Sequence, residues 1–166
     1  MENVARAEEP AEPGSSEAEM RERVIQLAFD GDEDRFQEFC DLIHVAVPPG
    51  TTAVLRGSSI TGERYSDGAP FDADGPGTSD LDLTLVGEDV VGFFDTLTGT
   101  YLPGVHTKPM GEDHPDIAPA LEPLREKLTS MVKRPVNIQA SRDFYMYLRG
   151  EVIGQPYLTL FCKVGS

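Results

Sequence analysis

Two short stretches carry residue types that could do chemistry together. Arg56-Gly57-Ser58-Ser59 follows an apolar, β-branched run, and Ser79-Asp80-Leu81-Asp82-Leu83 opens an alternating one. On a β-strand, residues two apart share a face, about 6.6 Å from each other along the backbone. Asp80 and Asp82 are therefore expected to aim two carboxylates at one point, with Leu81 and Leu83 facing the other way. Neighbouring carboxylates repel unless one takes a proton or a cation lies between them. Hard oxygen ligands with open positions suit Mg²⁺, or Mn²⁺, held by one or two carboxylates together with substrate phosphates. A Gly-Ser turn leaving the adjacent strand supplies backbone N–H groups and a hydroxyl for those phosphates. A glycine there also admits them close to the main chain.

The elements that must position these residues are legible in the patterning. Ser16 is placed to cap a helix, with Glu17 and Glu19 in its first turn. A second helix is expected from Asp32 to about Val47, because Phe36, Phe39, Cys40 and Ile43 recur at helical spacing, and Pro48-Pro49-Gly50 stops it. Thr51 to Gly57 reads as a first strand and Leu81 to Val86 as a second, with an irregular Gly-, Pro- and Asp-rich loop at 59–78 between them. Gly87 to Gly99 suggests a helix with Val90, Phe94 and Leu97 on one face, and residues 100–115 are rich in turn formers. A further helix fits Pro119 to Lys133, with Pro123 in its first turn. Pro135 to Ala140 is a third strand, Ser141 could cap a short helix through Leu148 ended by Gly150, and Tyr157 to Val164 is a strand or a packing segment. This order predicts an α/β (α+β) domain, a small mixed sheet flanked by helices.

Composition bounds the function classes. The 166 residues carry 29 acidic and 14 basic side chains, a net charge of −15. That field has the wrong sign for a protein that grips long nucleic acid through its phosphates. With 39% hydrophobic residues the chain can fill one core. Residues 1–16 hold four glutamates and almost nothing to bury, so they are expected to be a disordered acidic tail ahead of a single domain at 17–166. No apolar stretch approaches membrane-spanning length and the N-terminus lacks a basic-then-apolar signal pattern. Cys40 and Cys162 read as buried thiols suited to a reducing compartment, and a cytoplasmic protein without a membrane partner is expected.

At this point the sequence resembles the nucleotidyltransferase superfamily with the DNA polymerase beta fold, in its minimal single-domain form. That family joins an apolar strand ending in Gly-Ser to an Asp-x-Asp strand, with a third carboxylate on a later strand. Val54-Leu55-Arg56-Gly57-Ser58 is similar to the first part and Ser79-Asp80-Leu81-Asp82-Leu83 to the second, and the likeness spans roughly residues 35–140. The resemblance implies that Asp80 and Asp82 bind the divalent metals, and that Gly57, Ser58 and Ser79 hold the triphosphate of an NTP. A nucleoside monophosphate would then pass to the hydroxyl of a small molecule or a protein.

Two departures accompany the likeness. Residues 59–78 form an insertion longer than the family's usual connection, read equally as a lid or as a surface excursion. On the third strand, Val136-Asn137-Ile138-Gln139 puts Asn137 where the family has a catalytic aspartate. Its amide can offer an oxygen to a metal but cannot take a proton. Asp72, Asp74 and Asp143 are candidates to substitute for the missing acid. The alternative is a catalytically degenerate fold, kept as a nucleotide-binding or partner-binding module.

The remaining candidates weigh less. Lys133, Arg134 and Arg142 flank the third strand and could neutralise phosphate, or Lys133 could merely close a helix. His44 reads as partly buried and structural. His106 and His114, with Asp113 and Asp116, match no zinc spacing. Phe144-Tyr145-Tyr147 reads as core.

Overall fold

The computed structural model describes residues 16–164, apart from 65, 145–146 and 148–154. The expected acidic tail, apart from Ser16, lies outside the described residues, as do 145–146 and 148–150 of the short helix expected from Ser141.

Two helices come first, α1 (Glu17–Phe29) and α2 (Glu33–Ala46). The start of α1 is fixed by reciprocal bonds: the Ser16 hydroxyl accepts from Glu19 N–H, and the Glu19 carboxylate accepts from Ser16 N–H. Asp32 caps α2 through Arg35 N–H at 3.1 Å. The chain then runs through β1 (Thr52–Arg56), the single turn α3 (Ser58–Thr61), β2 (Leu81–Val86), the short α4 (Glu88–Val91), β3 (Thr100–Leu102), β4 (His106–Thr107), α5 (Glu122–Val132), β5 (Val136–Ser141) and β6 (Tyr157–Cys162). The six strands form one open mixed sheet in the order β3-β4-β5-β2-β1-β6, and β2 and β5 are its parallel pair. This is a mixed α/β architecture. Among the described residues no helix is long and apolar enough to cross a membrane.

Period-two alternation in β1, β2 and β5 divides the sheet into two chemically different faces. Ala53, Leu55, Leu81, Leu83, Leu85, Val136, Ile138 and Ala140 point into the main core, where they meet Val24, Phe39, Ile43 and Leu128 of the helices. Each is essentially inaccessible to solvent, so truncating one of the leucines to alanine should cost about 2–5 kcal/mol. The opposite face carries three cross-strand rows given by the register: Thr52–Val86–Ser141, Val54–Thr84–Gln139 and Arg56–Asp82–Asn137. The first two rows are largely covered, in part by the smaller cluster of Tyr147 on Val54 and Val86. The third row lies at the end of the strands, where the chain turns at Gly57.

Several elements differ from the sequence expectation, each for a local reason. The helix expected from Gly87 to Gly99 stops at Val91, and Leu97 is 90% exposed. Gly92 caps the helix, and beyond it the Asp95 side chain accepts from the N–H groups of Leu97 and Thr98 at 2.9 Å, giving that stretch a turn in place of a helix. The turn-rich segment 100–115 contains the β3–β4 hairpin, too short to show alternation. Ser141 ends β5 rather than capping a helix, and its hydroxyl meets His106 Nδ1 at 2.6 Å. Cys40 is buried, and burial pushes its thiol up to about 12, but Cys162 is exposed. His44 is exposed too, with its ring against Phe161.

Candidate functional site

The site is assembled where β1 ends and where β2 and β5 begin. Arg56, Asp82 and Asn137 are cross-strand neighbours there, and Asp80 lies two residues before Asp82. The two carboxylates converge. Asn137 Nδ2 donates to Asp80 Oδ2 at 2.8 Å and to Asp82 Oδ1 at 3.3 Å. An amide N–H₂ group thus stands between two acids, partly offsetting their mutual repulsion.

Gly57 closes the site from the β1 side. It has φ +93°, a conformation that L side chains rarely adopt, and a Cβ built on it would lie 2.8 Å from Asp82 Oδ2. The bend expected from the Gly-Ser pair therefore lies directly on the acidic pair, and only hydrogen fits there. Ser58 begins α3 immediately afterwards, half-buried. The first N–H groups of a helical turn have no partner within the turn.

The electrostatics follow from burial. Asp82 has its carboxyl held above the usual range, chiefly because burial disfavours the charged form and further because Asp80 is close. Arg56 and the Asn137 hydrogen bond pull in the opposite direction. Arg56 is positioned in turn by Gln139, whose Oε1 accepts from Arg56 Nη2 at 2.7 Å.

Two concavities flank the acidic pair. One, of about 240 Å³, is lined by Gly57, Thr61, Arg64, Gln155 and Pro156, among others. The other, of about 300 Å³, is lined by Asp80 and Asn137 together with Tyr101, Pro109 and the segment Gly111 to His114. That last segment is what sequence reasoning missed. His114 and Asp113 read from the sequence only as loop residues without zinc spacing, and Gly111, Glu112 and Tyr101 carry no signal there. Their place is set by a tertiary bridge between Met110 and Ile138, across a gap no local pattern spans.

The other expected residues are committed elsewhere. Ser79 sits beside the pair in sequence, but its hydroxyl accepts from Asp72 N–H at 2.7 Å and its own N–H donates to Asp72 Oδ1 at 2.9 Å. Asp72 is gripped by Arg134, at 2.8 Å to Oδ1 and 3.1 Å to Oδ2, and this guanidinium holds its carboxyl down at about 2. Arg134 is buried and also stacks over Phe71, 4.6 Å from the ring centroid. The 59–78 insertion is therefore fastened to the end of α5 rather than hanging free. Asp74 is paired with Arg64, and Asp143 with Arg142. None of the three candidate substitute acids is free of a cation of its own. Lys133 ends α5 in the left-handed conformation.

Asp80 and Asp82 are the residues here that could hold a divalent cation. Among the described residues no group of three or more His, Cys, Asp or Glu side chains is arranged to do so. A cation on this pair would complete its shell with substrate oxygens, as Mg²⁺ commonly does. Compared with known protein families, curated proteins and solved structures, the chain matches none of them.

Proposed function

We propose that this protein is a minimal polymerase-beta-type nucleotidyltransferase that binds Mg²⁺-NTP and transfers a nucleoside monophosphate to a hydroxyl of a small molecule or a protein. The observation that carries the reading is the convergence of Asp80 and Asp82 on one point, with the Gly57 bend pressed against Asp82. The donor set fits a hard divalent cation, since it consists of carboxylate oxygens with room for phosphate oxygens beside a glycine. Bound there, Mg²⁺ would supply positive charge against the triphosphate and the leaving pyrophosphate. Gly57 admits the phosphates to the main chain, and Ser58 offers its hydroxyl and N–H. The Arg64-lined hollow beyond Gly57 would take the rest of the nucleotide.

The raised pKa of Asp82 supports the same reading. Burial first, and then the nearby Asp80, disfavour the charged form of Asp82, and a divalent cation on the pair would favour it. In the test, purified protein is given labelled NTP and Mg²⁺. Transfer by the wild type, abolished in Asp80→Ala and Asp82→Ala, is the expected result, and retained transfer in either variant would remove the assignment.

A second reading, a degenerate site that binds nucleotide without turnover, is favoured by one feature. Asn137 replaces the proton-accepting acid, and its amide is spent on both carboxylates. Asn137→Asp separates the two. A large gain in transfer marks a decayed site, whereas no gain marks an asparagine that belongs to a working one. A degenerate binder would still be stabilised by Mg²⁺-NTP, by about 2.7 kcal/mol at a hundredfold excess over Kd.

A further inference from the structure

Resting on the reading of Asp80 and Asp82 as the nucleotidyl-transfer pair, we propose that the cavity on the Asn137 side receives the acceptor, and that His114 takes the proton from its hydroxyl. The argument starts from what Asn137 cannot do. An amide does not accept a proton near neutral pH, so a working site needs another group within reach of the attacking oxygen.

The fold brings one into the same cavity as Asp80 and Asn137. Met110 N–H donates to Ile138 O at 2.7 Å and Ile138 N–H to Met110 O at 3.0 Å, which sets the next residue, Gly111, beside Asn137. The approach is so close that a Cβ on Gly111 would collide with Asn137 Oδ1. Glycine is what lets this turn lie against the residue that replaces the family's third acid. The turn is closed by His114 N–H donating to Gly111 O at 3.2 Å. Its side chains then share a cavity of about 300 Å³ with Asp80 and Asn137, and Tyr101 supplies an aromatic wall. That volume suits a small molecule or one protein side chain.

Of the groups lining this cavity, His114 is the one imidazole, a side chain whose ring nitrogens can take a proton and pass it on. It is also half-buried, whereas Glu112 and Asp113 are exposed. In the step, the acceptor oxygen forms a bond to the α-phosphorus and the bond from that phosphorus to the bridging oxygen breaks. Pyrophosphate leaves with the electron pair. The hydroxyl proton passes to a ring nitrogen of His114 and from there to solvent.

The test uses the full chain with Mg²⁺ and a non-hydrolysable ATP analogue, then Mg²⁺-ATP with glycerol as the hydroxyl probe. Bound analogue should raise the melting temperature and move the imidazole NMR signals of His114 while leaving those of His44 in place. His114→Ala should lower pyrophosphate release roughly 10²–10⁴-fold, keep the analogue-induced melting shift, and recover rate when free imidazole is added. Unmoved His114 signals with the analogue bound, or an unchanged rate in His114→Ala while Asp80→Ala is dead, would overturn the assignment. If the wild type does not bind the analogue at all, the reading of the acidic pair fails first and this one with it.

Discussion

Asp82 carries opposing demands within one side chain. Its carboxylate is covered, lies beside Asp80, and is close enough to Gly57 that no side chain could intervene. The folded-state pKa is raised, so the folded protein holds the proton more tightly than the unfolded chain. The contribution to stability is therefore full below about pH 4, the unfolded value, and is lost as pH rises through the folded value. Asp82→Asn should stabilise the metal-free protein at neutral pH and flatten this part of the pH dependence while abolishing Mg²⁺-dependent transfer. Denaturant midpoints of both proteins across a pH series, in chelator, will show whether the gap widens as pH rises. Gly57→Ala acts in the opposite sense. It forces an L residue to φ +93° and sets a methyl on Asp82, so a loss of about 1–3 kcal/mol is expected in thermal or urea unfolding, together with loss of any Mg²⁺-nucleotide stabilisation.

Among the larger units, the insertion and the turn at 111–114 decide how much of the site can be read from sequence. The β2 strand is legible to the residue, because Leu81, Leu83 and Leu85 alternate with polar partners and bury one face. The pairing of Asp80 and Asp82 with Gly57 follows from that alternation and from a glycine ending β1. Three features are not legible, for a common reason: each is set by hydrogen bonds that leave no period in the sequence, one from backbone to side chain, one between backbones and one between side chains. Asp95 turns the chain beyond α4, Met110 bridges to Ile138, and Asp72 reaches Arg134. The last of these makes a definite expectation. Asp72 is lowered to about 2 by Arg134, so the pair contributes stability above about pH 4 that disappears as pH falls towards 2. Asp72→Asn should cost about 2 kcal/mol at neutral pH and much less in strong acid. It should also expose the 63–77 segment to limited proteolysis, where the wild type resists. Equal cleavage of the two proteins would mean that Arg134 does not fasten the insertion.

For the protein taken entire, the charge of −15 sets how ligands arrive. A Mg²⁺-nucleotide is itself anionic, so the long-range field opposes its approach, and added salt screens that opposition. The association rate of a fluorescent Mg²⁺-NTP analogue should therefore rise with ionic strength, the reverse of what an electrostatically steered site shows. Stopped-flow measurement at increasing NaCl will reveal the sign, and a falling rate would mean that a local positive field dominates at the mouth of the site. The same charge is a reason to seek the acceptor among small molecules and protein side chains rather than among polynucleotides.

Crystals of the wild-type protein grown with Mg²⁺ and a non-hydrolysable NTP bring these arguments to one place. The expected map shows cation density on carboxylate oxygens of both Asp80 and Asp82, the triphosphate crossing Gly57 and Ser58, and Asn137 Nδ2 displaced from at least one carboxylate. Nucleotide bound elsewhere, or an Asn137 amide still bridging both acids with no cation beside them, would contradict the account.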